Sequence, residues 1–201
     1  MFNSDPRTTL RRNRVYVVAL NPGGIDTEVG PFYTESMASW NSNRLGWNAY
    51  YDEFWGRNNT FSQHQVNIRE ILSKLRGMSL EEATRQTFAT NLYFYKCHDQ
   101  AELAKYPPEL IDCWKYHEKF LEIVRPGIVL CVGDGPASSF AEFHKRLGKD
   151  AKIEDEKVSQ RRYVRGFKTE DKVVLGIPHL SRPYAGIGKI LWGLDKVREK
   201  L

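Results

Sequence analysis

Three stretches of this chain are apolar without a break, and each stops at a turn signal or a polar residue. Val17-Val18-Ala19-Leu20 runs into Asn21-Pro22-Gly23-Gly24. Ile128 to Val132 runs into Gly133-Asp134-Gly135-Pro136, and Val173 to Ile177 runs into Pro178-His179. Short runs that leave no polar side to face water read as strands covered on both faces, the habit of parallel sheets. The Asn21-Pro22 step ends the first run, because the residue before a proline is driven away from the helical region and two glycines open backbone shapes that other residues resist. In open α/β sheets the carboxyl edge of the strands is where ligands bind, so a polar residue placed there is a candidate site residue.

Helical patterns separate these runs. Residues 64–76 repeat Val66, Ile68, Ile71, Leu72 and Leu75 near the helical period. Ser79 with Glu82 forms a capping-box signature for a second short helix. Residues 88–97 read as a strand followed by a polar-aromatic loop. Residues 107–126 read as a helix that prolines enter, with Leu110, Cys113, Trp114, His117, Leu121 and Val124 on one face and Pro126 as the stop. Further helices are expected from about Ala137 to Leu147 and over 184–200, and the basic segment 157–168 reads as a hairpin or edge strand. Strands alternating with helices argue for a mainly parallel sheet with helices on both faces. Its parallel strands bring Asn21, Asn91 and His179 to one edge.

Bulk properties exclude several classes. A chain of 201 residues, 41% hydrophobic and 27% charged, suits one globular domain over 1–201 and does not suit disorder. No apolar run reaches the length that spans a bilayer, and the polar, basic residues 1–14 lack the apolar core of a secretory signal, so an intracellular, cytoplasmic protein is expected. Three cysteines without tight pairing fit free thiols. The net charge of +5 is compatible with a polyanionic partner, and the basic residues cluster at Arg7–Arg14, Lys157–Lys168 and Arg182–Lys189.

Ala19-Leu20-Asn21-Pro22-Gly23-Gly24 resembles the Gly-x-Asn-Pro-Gly motif of the uracil-DNA glycosylase superfamily, in its mismatch-specific and single-strand-selective branches. Thr90-Asn91 through Lys96-Cys97 looks like the family's middle motif, residues 125–140 are similar to its Pro-x-hydrophobic-Gly segment, and His179-Leu180-Ser181 resembles its His-x-Ser signature. The matches run in family order over nearly the whole chain. The resemblance implies a three-layer α/β/α fold with a central, mainly parallel four-stranded sheet. It also implies a DNA glycosylase, active without metal or other cofactor as a monomer on DNA, that flips uracil or a related damaged base into a pocket and cuts its bond to the sugar.

In that light His179 is the neutral imidazole that stabilises the departing base anion, and Asn21 orients the attacking water, lacking a pKa that would let it take the proton. Asn91 reads the base, its amide matching the O4 and N3–H edge of uracil. Phe32, or Tyr33 in a shifted register, stacks on the base. Gly23, the glycine of the motif, and Gly24 lie beside the base, with Gly24 leaving room for a 5-substituent. Ser181, Arg182 and Lys189 contact backbone phosphates.

The chain departs from the pattern at Leu180, where the family usually has proline, and after Ser181, where Arg182 or Tyr184 replaces a leucine wedge or no wedge exists. Cys97 and Cys113 match two ligands of the iron–sulfur branch, but no cysteine occurs in residues 1–20, so no cluster is expected. Zinc on Cys97, His98, Cys113 and His117 fits no common spacing. Two other functions compete: a nucleic-acid or base-binding protein of the same fold with weak or absent catalysis, and a nucleotide-binding protein using Gly133-Asp134-Gly135 as a phosphate loop.

Overall fold

The computed structural model describes residues 2–20, 30–31, 45–96, 105–107, 112–181 and 186–201. The strands are β1 (Val15–Ala19), β2 (Gly30–Pro31), β3 (Phe88–Asn91), β4 (Tyr95–Lys96), β5 (Ile128–Val132), β6 (Glu154–Ser159), β7 (Arg162–Lys168) and β8 (Val173–Ile177). The helices are α1 (Pro6–Thr9), α2 (Ala49–Asp52), α3 (Gln63–Arg76), α4 (Leu80–Arg85), α5 (Trp114–Val124), α6 (Ser139–Leu147) and α7 (Ile187–Lys200).

The main sheet has the order β3-β1-β5-β8-β7-β6. Its first four strands are parallel, and β7 and β6 add antiparallel strands beside β8. The expectation of four strands is therefore corrected to six. The extra pair is the basic segment read as a hairpin. Its alternating, half-exposed pattern suits the end of the sheet beside β8.

Side chains along each central strand alternate between two cores. Val15 and Val17 of β1, Leu130 of β5 and Leu175 of β8 pack with Ile68, Ile71 and Leu72 of α3 and Leu194 of α7. Tyr16 and Val18, Cys131 and Val174 face Trp114 and Phe120 of α5 and Phe140 and Phe143 of α6. The result is three layers, helices over both faces of the sheet, as the alternation of elements predicts.

Local chemistry sets the helix ends. Ser62 and Gln65 close a full capping box on α3: Ser62 Oγ accepts from Gln65 N at 3.3 Å, and Gln65 Oε1 accepts from Ser62 N at 3.0 Å. Ser79 Oγ accepts from Glu82 N at the start of α4. The helix expected from 107 begins at Trp114, where Asp112 Oδ1 accepts the Trp114 N–H at 2.9 Å and takes up a donor that a longer helix would have used internally. Residues 108–111 lie outside the described residues, and Tyr106 and Pro107 are not helical. Pro136 sits in a turn and not at the first position of a helix; Ser138 caps α6 instead.

Chain order places the ligand edge. From β1 the chain adds β3 on one side and then returns to add β5 on the other, so the connection reverses between β1 and β5. A crevice outside the carboxyl ends of the strands forms at such a reversal. The first turn of α3, the start of α7 and the β6–β7 turn also lie at that edge, since each runs or pairs antiparallel to the central strands.

Candidate functional site

Asn91 is the last residue of β3 and pairs with Ala19 of β1. The ladder continues beyond it: Leu92 N donates to Ala19 O at 2.7 Å and Tyr93 N to Leu20 O at 2.9 Å. Asn91 is 3% exposed, and its Nδ2 has no hydrogen-bond partner among the described residues. Leaving a buried donor unpaired costs about 1–3 kcal/mol.

A buried relay fixes the strand end on which Asn91 sits. His117 Nε2 lies 2.9 Å from Leu92 O, and a carbonyl only accepts, so Nε2 carries the proton. Nδ1 then accepts from Tyr16 Oη at 2.7 Å, and Tyr16 Oη accepts from Thr90 Oγ1 at 2.8 Å. Burial holds the pKa of His117 down to about 4. Both ring nitrogens are committed, leaving no lone pair for a metal. Among the described residues no group of three metal-binding side chains occurs, and Cys97 and His98 lie outside them.

His179 lies three strands across the sheet from Asn91, roughly 14 Å at the usual strand spacing. It follows β8 directly after the buried Pro178 and is exposed. Leu180 is 1% exposed in the α3–α7 core, and Asn67 Nδ2 of α3 donates to Leu180 O at 3.3 Å. Leu180 thus anchors the turn by packing. Ser181 Oγ lies 2.7 Å from His179 Nδ1.

His64, which the sequence pattern did not single out, packs its ring 5.3 Å from that of His179. Tyr50 and Trp55 flank it, each with ring centroids 5.9 Å away. Gln65 ties this aromatic support to α3, accepting from Trp55 N and donating to Ala49 O and Glu53 O. Burial first, and then the charge of a protonated His179, push the pKa of His64 down to about 3, so it is neutral at physiological pH. His64, Gln65 and Asn67 are polar residues on the first turns of α3, where this helix buries all three.

Of the other expected site residues, Lys189 is exposed on the first turn of α7. Asn21, Gly23, Gly24, Phe32 and Arg182 lie outside the described residues. Their neighbours carry information. Leu20 accepts from Tyr93, and Pro31, next to Phe32, pairs with Tyr95 in the small antiparallel ribbon of β2 and β4. Leu20 and Pro31 are thus both joined to the chain that follows Asn91.

The turn after β5 does not suit a phosphate loop. Gly133 adopts φ +128°, and a Cβ there would meet Ser138 Cβ at 3.1 Å. The Asp134 carboxylate, 6% exposed, accepts from Tyr163 N at 3.1 Å and pairs with Arg162 at 3.3 Å. A buried carboxylate in the loop opposes a phosphate. The groove of about 290 Å³ lined by Thr8, Arg11, Leu45 and Arg85 lies at the amino ends of the strands, and its Arg85 is bound to Asp52 and Glu81.

No helix among the described residues is long and apolar enough to cross a membrane. The chain matches no protein-family model and no curated protein sequence.

Proposed function

We propose that the protein is a DNA glycosylase that hydrolyses the bond between C1′ of the sugar and the ring nitrogen of uracil or a related damaged base. The observation that carries the reading is the buried amide of Asn91, whose Nδ2 has no hydrogen-bond partner among the described residues, on the same sheet edge as His179. An amide offers one donor and one acceptor, which complements the O4 and N3–H edge of uracil and mismatches the reversed edge of cytosine. A flipped base that satisfies Nδ2 recovers the penalty of leaving it unpaired.

The chemistry divides between His179 and Asn21. The bond breaks with its electron pair on the base nitrogen, and negative charge spreads to the base oxygens. A hydrogen bond from His179 Nε2–H to a base oxygen stabilises that anion without protonating it. Water held by Asn21 adds to the cation-like C1′ and releases its proton to solvent. Phe32 stacks on the base, beside Gly23 and Gly24.

Ser181 limits what the site can do at once. Its hydroxyl has one proton. When it donates that proton to His179 Nδ1, the imidazole is neutral with its own proton on Nε2, the form that can serve the base. The same proton cannot then go to a phosphate, which only accepts. In that arrangement Ser181 orients the histidine, and phosphate contact falls to Arg182 and Lys189.

The test is base release from oligonucleotides carrying uracil, 5-hydroxymethyluracil or hypoxanthine, single-stranded and duplex. Release of at least one pyrimidine lesion is expected. Strand binding without release of any base would replace the enzyme with a base-binding protein.

A further inference from the structure

The β6–β7 hairpin, beyond the four-stranded sheet that the resemblance implies, ends at the same edge as His179. The register setting Arg165 opposite Gly176 and Gly166 opposite Leu175 brings Arg162 level with His179 when carried on along β7. Gln160 and Arg161 form the turn, and Lys157 sits opposite Tyr163 on β6. The tip is fixed rather than loose: Asp134, just beyond β5, binds Tyr163 N and the Arg162 guanidinium, and α7 lies close against the hairpin. A Cβ on Gly193 of α7 would meet Val158 Cγ1 at 2.7 Å and Val164 Cγ2 at 3.0 Å, so only glycine permits this approach.

Charge along the hairpin is sorted. Glu154, Asp155 and Glu156 precede Lys157 on β6; Lys152 binds Glu154, Lys200 binds Glu156, and Asp155 lies opposite Arg165. Asp134 at the tip is matched by Arg162. Lys157 and Arg161 are exposed and form no ion pair among the described residues, and exposed Lys189 opens α7 at the same edge. These cations are left uncompensated and held on a rigid frame beside the proposed base pocket.

We propose that this hairpin tip is a backbone clamp, in which Lys157 and Arg161, with Lys189, bind phosphates of the DNA strand that carries the target base. It rests on the glycosylase reading for the choice of DNA as the polyanion. Cations fixed on strands contact phosphates without reading sequence, so the clamp contributes affinity and register on the strand but no base preference.

The test is binding of a fluorescein-labelled, undamaged single-stranded oligonucleotide across a salt series. It compares the wild type, Lys157→Gln/Arg161→Gln, and Lys168→Gln, whose exposed lysine ends the same strand at the opposite edge of the sheet. The double variant is expected to bind at least about tenfold more weakly at low salt, and its log K against log salt should be shallower by about 1.4, at about 0.7 per single-strand contact. Lys168→Gln is expected to bind like the wild type. Equal binding by the wild type and the double variant, or an equal loss in Lys168→Gln, overturns the clamp and leaves the glycosylase reading standing. A wild type that binds no strand overturns both.

Discussion

Ser181 Oγ lies 2.7 Å from His179 Nδ1, and when the hydroxyl donates across that contact the neutral imidazole carries its own proton on Nε2. In Ser181→Ala the ring loses its orienting partner and both tautomers become available. Base release at saturating enzyme is expected to fall about tenfold, the size of effect seen when a partner that orients a functional histidine is lost, while strand affinity stays close to wild type. A loss of affinity with unchanged release would return Ser181 to the role of phosphate ligand. Single-turnover kinetics beside anisotropy binding separates the two.

Asn91 should show function set against stability. Asn91→Leu keeps the volume and removes the unpaired amide, so the free protein is expected to gain about 1 kcal/mol and to lose base release. Urea unfolding beside the release assay reads both effects. A variant less stable than wild type would mean that the amide is satisfied in the folded protein.

Much of the frame was legible in the sequence because it follows from periodicity. The runs at Val17, Ile128 and Val173 could only be covered strands, and the repeat from Ile68 to Leu75 could only be an amphipathic helix. Placing Asn91 and His179 on one edge needed nothing more than parallel strands. What the pattern missed was polar. His64, Gln65 and Asn67 are buried because α3 enters at the ligand edge, and no hydropathy period marks that. The start of α5 was misplaced because prolines signal a possible entry, whereas the Asp112 side chain decides the actual one. The hairpin was visible as alternation, but its membership of the main sheet depends on long-range pairing with β8.

Acid should weaken the fold before the carboxylates titrate. His64 and His117 have folded pKa values of about 3 and about 4, below the ordinary value of 6.5. A lowered folded pKa contributes stability that is complete above 6.5 and lost as pH falls, because only the unfolded chain takes up the proton. Between pH 6.5 and 4 each histidine is expected to remove about 1.4 kcal/mol per pH unit at the steepest. Denaturant midpoints measured across this range check the slope. His64→Phe should roughly halve it.

The buried relay offers a control away from the reacting groups. Tyr16→Phe deletes the donor to His117 Nδ1 and the acceptor for Thr90 Oγ1. It is expected to cost about 1–3 kcal/mol through the groups left unpaired, seen as a lower thermal midpoint. Base release at a temperature where the variant is folded should remain within a few-fold of wild type.

The central claim is that His179 and Asn21 cut a base from DNA held by Asn91. The most direct measurement is single-turnover release of uracil from a single-stranded oligonucleotide by the wild type, His179→Ala and Asn21→Ala, each shown to bind the strand. Release by the wild type and a loss of at least about a hundredfold in each variant are expected. Release that survives both substitutions, or its absence in a wild type that binds the strand, would contradict the claim.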